Sequence, residues 1–228
     1  PGRRSGPPAE GERPARPLAA LGRVIYGRTP AMPAIAPFRG IRYPAPGPAL
    51  SALLSPPYDV VTPEAQRALA AQSPHNAIHL ILDPPRPGDG PADNRYLRAA
   101  SRFAAWLADG TLRRDPRPAL YPLEQAFAAP DGRQHARRGL VAAVRLHDFR
   151  DGVVLPHEGT LAAPKADRLE LLRTARANLS PVFGLYQDER DQAQAVLAAA
   201  FSGEPAAEAD TADGVHHRLW RVDEPAAV

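Results

Sequence analysis

Apolar residues recur at two different spacings along this chain, and each spacing predicts a different element. Over 92–109, Tyr96, Ala99, Ala100, Phe103, Trp106 and Leu107 are separated by three and four positions. That is the period of an amphipathic helix, and Gly110 is its natural C-terminal cap. The aromatic stripe is read as core packing, not as a cofactor box. Thr62-Pro63-Glu64 gives an N-cap, a proline in the first turn and an early acid, so a helix is expected to run to about Ala71. Residues 164–177 carry Leu169, Leu172, Arg173 and Arg176 at helical spacing, and 189–201 form an alanine-rich helix ending near Gly203.

Shorter apolar runs predict strands. Phe38 to Tyr43 reads as one, and Ala77 to Leu82 as a buried one. Ala119–Phe127 and Gly139–Leu146 are expected to pair as a hairpin through Pro130-Asp131-Gly132, with Leu140, Ala142 and Val144 on one face. A short strand should end at Leu155-Pro156, another should span 181–186, and His216 to Val222 should be the last. Strands and helices mingled in this way predict an α/β chain: a mixed β-sheet flanked by helices.

The first 31 residues differ from the rest. They are rich in Pro, Gly and Arg, and outside a short apolar turn at Leu18–Ile25 they bury too little to order themselves. Met32 is the only methionine. Residues 1–31 therefore read as an upstream extension from a wrongly chosen start, or as a disordered tail, and 32–228 as the folded region.

Composition narrows the chemistry. Of 228 residues 44% are hydrophobic, enough for a real core, and 23% are charged, an ordinary share. The net charge is only +3, Lys165 is the single lysine, and no basic run is interleaved with aromatics. A nucleic-acid partner is therefore not expected. The absence of cysteine excludes disulfides, zinc–thiolate sites and thiol nucleophiles, and fits a cytoplasmic protein. No apolar run approaches the ~18 residues a membrane helix needs.

Phosphate-loop, GxGxxG, HExxH and GxSxG patterns are absent. His216 and His217 invite a metal reading, but neighbours on a strand point to opposite faces and do not easily share one ion, so no metal site is expected. The richest stretch is Pro156-His157-Glu158-Gly159-Thr160, followed by Pro164-Lys165-Ala166-Asp167-Arg168 and Asn178-Leu179-Ser180-Pro181-Val182-Phe183. Glu158 at a strand end suits a general base, with His157 or Arg168 tuning its charge. Thr160, Lys165 and Arg168 suit a phosphate. Asn178 would cap the helix or orient a ligand amide. A salt-bridged loop without function is the competing reading. Ser55-Pro56-Pro57-Tyr58-Asp59 is a rigid loop, able to aim Tyr58 and Asp59 at a ligand or to pack Tyr58 on the core. His79 reads first as a satisfied core or sheet histidine and second as a contact.

These stretches resemble those of a known family, domain of unknown function 1015. The resemblance rests on Pro37–Tyr43, Ser55–Val60, Asn76–Leu80, His157–Thr160 and the long match from Pro164 through Tyr186, in order, over roughly 33–224. It implies a fold that is partly ParB/sulfiredoxin-like, related to free-serine kinases. The function it implies is ATP- and Mg²⁺-dependent phosphorylation of free L-serine, with Glu158 as the base that removes the hydroxyl proton. His157 would stand beside it, and Ser55, Tyr58, Asp59, His79, Thr160, Lys165, Arg168 and Asn178 would contact substrate or phosphate. Gly159 stands where relatives usually carry a basic residue. Family members are longer, so the chain is expected to be the N-terminal part of a protein whose nucleotide-handling motif lies beyond it. A non-catalytic nucleotide-sensing or partner-binding module is the alternative. A DNA-associated regulator is poorly supported by the charge pattern.

Overall fold

In the computed structural model, residues 33–45, 47–156, 159, 162–187 and 192–223 are described. In chain order they form β1 (Ile35–Ala36), β2 (Ile41–Arg42), α1 (Gly47–Ser51), α2 (Pro63–Gln72), α3 (Ile78–Ile81), α4 (Arg95–Ala108), β3 (Arg113–Arg114), β4 (Tyr121–Ala128), β5 (Gln134–Val141), β6 (Ala143–Val144), α5 (Ala162–Ala175), α6 (Gln192–Phe201), β7 (Ala207–Asp210) and β8 (His216–Leu219). Turns of 3-10 helix lie at Tyr58–Val60 and Phe149–Asp151. The extension through residue 31 lies outside the described residues.

The α/β class holds, but the described strands pair antiparallel throughout rather than forming a mixed sheet. The main sheet has the order β5-β4-β8-β7, β1 pairs β6 and β2 pairs β3. Every one of these pairings is antiparallel. The expected hairpin is β4–β5, with Tyr121 opposite Val141 and Ala128 opposite Gln134. Leu120 and Val222 bridge beyond β8, which extends its pairing toward the predicted end. Gly40 lets two segments meet: its N–H donates to the Tyr121 hydroxyl at 2.8 Å, and a Cβ there would lie 2.6 Å from that oxygen. Tyr121 in turn donates to buried Asp115 (2.8 Å), which also pairs with Arg42 at 3.1 Å.

Helices α2 and α4 begin as their caps require. Thr62 Oγ1 accepts from the Ala65 N–H, and Asn94 Oδ1 accepts from Tyr96 and Leu97. Gly110 closes α4 with φ +83°, a left-handed conformation that favours glycine. The core gathers Tyr43, Leu50, Ile78, Leu80, Ile81, Phe103, Trp106, Leu112 and Ala209.

Three predicted strands are corrected. Ala77–Leu82 is the helical turn α3, because fully buried Asn76 accepts from the Ile78 N–H (2.9 Å) and donates to the carbonyls of Ala52 and Leu54. A short, continuously apolar run does not distinguish a buried strand from a buried helical turn. Residues 181–186 form no strand, and Val182, Phe183 and Leu185 are exposed. Leu155-Pro156 ends no strand either; the chain before it turns through Phe149–Asp151. Strand β7 was not expected, since Ala207-Glu208-Ala209-Asp210 lacks the usual strand-forming residues.

Candidate functional site

Helices α4 and α5 pack against each other, and the seam between them is partly polar. The Asn94 cap sets the first turn of α4, where Arg95 and Tyr96 stand. On α5, Asp167 and Leu171 are one turn apart and Arg168 is next to them; Leu171 is buried, while Leu169 and Leu172 are exposed. The inward side of α5 is thus led by Asp167, Arg168 and Leu171, not by the leucines the spacing suggested.

Asp167 is the hub. The Tyr96 hydroxyl donates to it at 2.7 Å and Arg168 Nε donates at 2.9 Å. Arg95 Nη2 and Arg168 Nη2 also donate to this carboxylate. Burial opposes ionisation of Asp167, but the hydrogen bonds from Arg168 and Tyr96 and the nearby positive charges outweigh it and hold its carboxyl below the usual range. Burial, followed by donation to Asp167, pushes the Tyr96 phenol up. Arg168 Nη1 donates to the Ile81 carbonyl at 2.8 Å, and its guanidinium lies 4.1 Å from the centroid of the Tyr58 ring. All three nitrogens of Arg168 are engaged.

A small cleft opens here, lined in part by Ile81, Leu82, Arg95, Tyr96, Arg168 and Leu171. It holds about 10 Å³, room for a single water. That is far below the ~300–1,000 Å³ of pockets that hold drug-sized ligands. Asp83, also lining the cleft, is buried and pairs with Arg98 (2.8 Å) and Arg102. Arg98 also reaches Asp89 at 2.6 Å, which fastens the 84–93 loop to α4.

The structure brings some of the predicted residues together. Tyr58 and Arg168 are in contact, and Arg168 reaches the helical turn that carries His79. Tyr58 is neither free in the loop nor lost in the core. Ser55 lies on the same loop, with its hydroxyl 3.1 Å from the Pro56 carbonyl, and Asp59 is exposed beside Tyr58. His79 is half-buried with Nε2 3.2 Å from the Ser73 carbonyl, so it is a satisfied histidine, on a helix rather than a sheet. Lys165 is exposed on α5 one turn before Arg168. Asn178 is exposed beyond the end of α5 and does not cap it. His157, Glu158 and Thr160 lie outside the described residues.

Asp167, Arg95 and Tyr96 were not singled out by the sequence. Asp167 stood in a noted run, but between a lysine and an arginine it reads as a surface charge. Tyr96 fitted the apolar stripe of α4, yet its hydroxyl serves Asp167 while Phe103 and Trp106 fill the core. Arg95-Tyr96 directly after a capping Asn was the one usable signal, since a cap fixes where the next side chains begin. The opposed faces expected for His216 and His217 are observed: the first meets Asp210 (2.8 Å), the second Gln125 and Thr211. Among the described residues no group of three or more His, Asp or Glu side chains is placed to hold a metal. No described helix is long and apolar enough to cross a membrane.

Fold and site together define an α/β protein with a salt-bridged arginine–carboxylate seam between two helices beside a small cleft. The chain belongs to the family described as protein of unknown function (DUF1015), whose model matches residues 35–228. No curated protein and no solved structure matches it.

Proposed function

We propose that this protein belongs to a small-molecule kinase lineage and transfers the γ-phosphoryl group of ATP to the hydroxyl of free L-serine. The observation that carries this reading is the cluster itself: two guanidiniums, two phenols and one carboxylate gathered where α5 meets α4, beside a small cleft. Residues 157–160 immediately precede α5, and chain length keeps Glu158 within about 14 Å of Ala162. The reading also draws on the ParB/sulfiredoxin-like relation that the family resemblance implies.

Phosphoryl transfer asks mainly for positioning and charge neutralisation. Glu158 takes the serine hydroxyl proton, and His157 tunes its charge. Arg168 lines the cleft, and the Tyr58 ring lies against its guanidinium. Arg168 is spent on Asp167 and the Ile81 carbonyl, so phosphate charge falls to Lys165 and Thr160. Both oxygens of Asp167 are taken by Arg95, Arg168 and Tyr96, and the described residues offer Mg²⁺ no ligand set; no step is drawn through the ion.

One other reading, a nucleotide-sensing or partner-binding module without catalysis, is favoured by the pairing of Arg95 and Arg168 with Asp167. One experiment separates them. The full gene product is incubated with ATP, Mg²⁺ and L-serine, and the mixture is followed by ³¹P NMR. O-phosphoserine is expected. ATP binding by calorimetry with no phosphoserine supports the module, and neither binding nor product removes both readings.

A further inference from the structure

Strand β5 ends the main sheet, and among the described residues no strand pairs with its outer edge. The direction of its backbone groups follows from the pairing. Trp220 N–H donates to the Pro122 carbonyl at 2.9 Å, so Pro122 aims its backbone at β8. Backbone direction alternates along an antiparallel strand. Tyr121, Leu123, Gln125 and Phe127 therefore aim at β5, opposite Val141, Gly139, Arg137 and His135. That leaves the N–H and C=O groups of Gln134, Ala136, Arg138 and Leu140 pointing outward, and residues 134–138 are exposed.

An unpaired edge of this length is a template for another strand. Its charge says what kind. Arg137 donates to the neutral Gln125 amide oxygen at 2.7 Å and meets no carboxylate among the described residues. Arg138 shares Glu124 with Arg218, which leaves that triad positive. A second copy of β5 paired antiparallel would set arginine against arginine, and like charges opposite each other are destabilising. Arg137 also lies 5.6 Å from the Phe183 ring centroid, which brings the exposed apolar run of Val182, Phe183 and Leu185 beside the edge.

We infer that the outer edge of β5 is a docking site for an extended segment of a partner protein, one that alternates acidic with apolar residues and adds as a fifth strand. The added backbone bonds give affinity; Arg137 and Arg138 point to opposite faces of β5, so selectivity comes from acidic side chains on the Arg137 face and apolar ones on the other.

The test uses fluorescein-labelled peptides of alternating glutamate and valine, or of lysine and valine, titrated into the full chain and followed by anisotropy. The glutamate peptide should bind at least about tenfold more tightly, and more weakly as salt rises. Amide exchange should slow at Gln134, Ala136, Arg138 and Leu140, whereas the amides of His135, Arg137, Gly139 and Val141 are already bonded to β4. Ala136→Pro removes one outward donor and no bond to β4, and should weaken binding about tenfold. Arg137→Glu, which leaves the strand backbone intact, should do the same. No binding, equal binding of both peptides, protection elsewhere, or indifference to both variants overturns the proposal. A concentration-dependent dimer abolished by Ala136→Pro also overturns it, in favour of self-pairing. So does an oligonucleotide that protects the same amides more strongly than the peptide.

Discussion

Asn76→Ala is the sharpest structural perturbation this fold offers. Asn76 is fully buried, and its amide closes three bonds: to the carbonyls of Ala52 and Leu54 at 2.9 and 2.8 Å, and from the Ile78 N–H at 2.9 Å. Alanine removes all three. The Ile78 N–H belongs to a residue only 1% exposed, so water cannot replace its partner, and an unsatisfied buried donor costs about 1–3 kcal/mol. The two carbonyls sit on half-buried residues and regain some hydration, which puts each near the low end, about 1 kcal/mol. The total is about 3–5 kcal/mol, a large part of the roughly 5–15 kcal/mol that holds a domain together. Urea unfolding followed by tryptophan fluorescence reads it, since Trp106 lies in the core that α3 joins. With a slope of about 2 kcal/mol per molar, the midpoint should fall by roughly 2 M with the slope unchanged. Asn76→Asp, nearly the same shape, should lose at least as much, because a carboxylate oxygen would face a carbonyl oxygen. A loss below about 1 kcal/mol for both variants would refute the claim that Asn76 forces the helical turn.

Other outcomes follow from the same geometry. Gly40→Ala places a Cβ 2.6 Å from the Tyr121 hydroxyl oxygen and 2.7 Å from the ring carbon that bears it, and should cost about 1–3 kcal/mol in urea unfolding; adding Tyr121→Phe keeps that carbon and should not recover the loss. Arg176 closes α5 with φ +50°, so Arg176→Gly should stabilise by up to about 1 kcal/mol, read as a raised thermal midpoint. Asp167→Asn should destabilise by about 1–3 kcal/mol near neutral pH. The folded Asp167 carboxyl is held below its ordinary value, so its contribution is complete above about pH 4 and is lost as pH falls through the folded value. The difference between wild type and Asp167→Asn in unfolding curves should therefore shrink below about pH 4 and stay constant above it.

What the sequence revealed, and what it hid, follows from the reach of each signal. Helices α2 and α4 were legible because caps, period and a terminal glycine are local. The β4–β5 hairpin was legible because Pro130-Asp131-Gly132 marks its turn. α3 was not, because the residue that decides it, Asn76, acts through carbonyls more than twenty positions away. Residues 181–186 are apolar enough for a strand, yet an apolar run does not reveal whether a neighbouring edge is there to pair with. In the candidate site, Tyr58 and Arg168 were named from separate motifs, and the structure joins them. Asp167, the hub, escaped because its partners Arg95 and Tyr96 are far away in sequence and one of them looked apolar.

The measurement that bears most directly on the proposed chemistry is the rate of O-phosphoserine formation by the wild-type full gene product and by its Glu158→Gln variant, each with a matching urea midpoint. Removing a general base typically costs about 10²–10⁴ in rate. The prediction is phosphoserine from wild type, a loss of that size in Glu158→Gln, and unchanged serine affinity. No phosphoserine from wild type, or an equal rate from the variant, would contradict it.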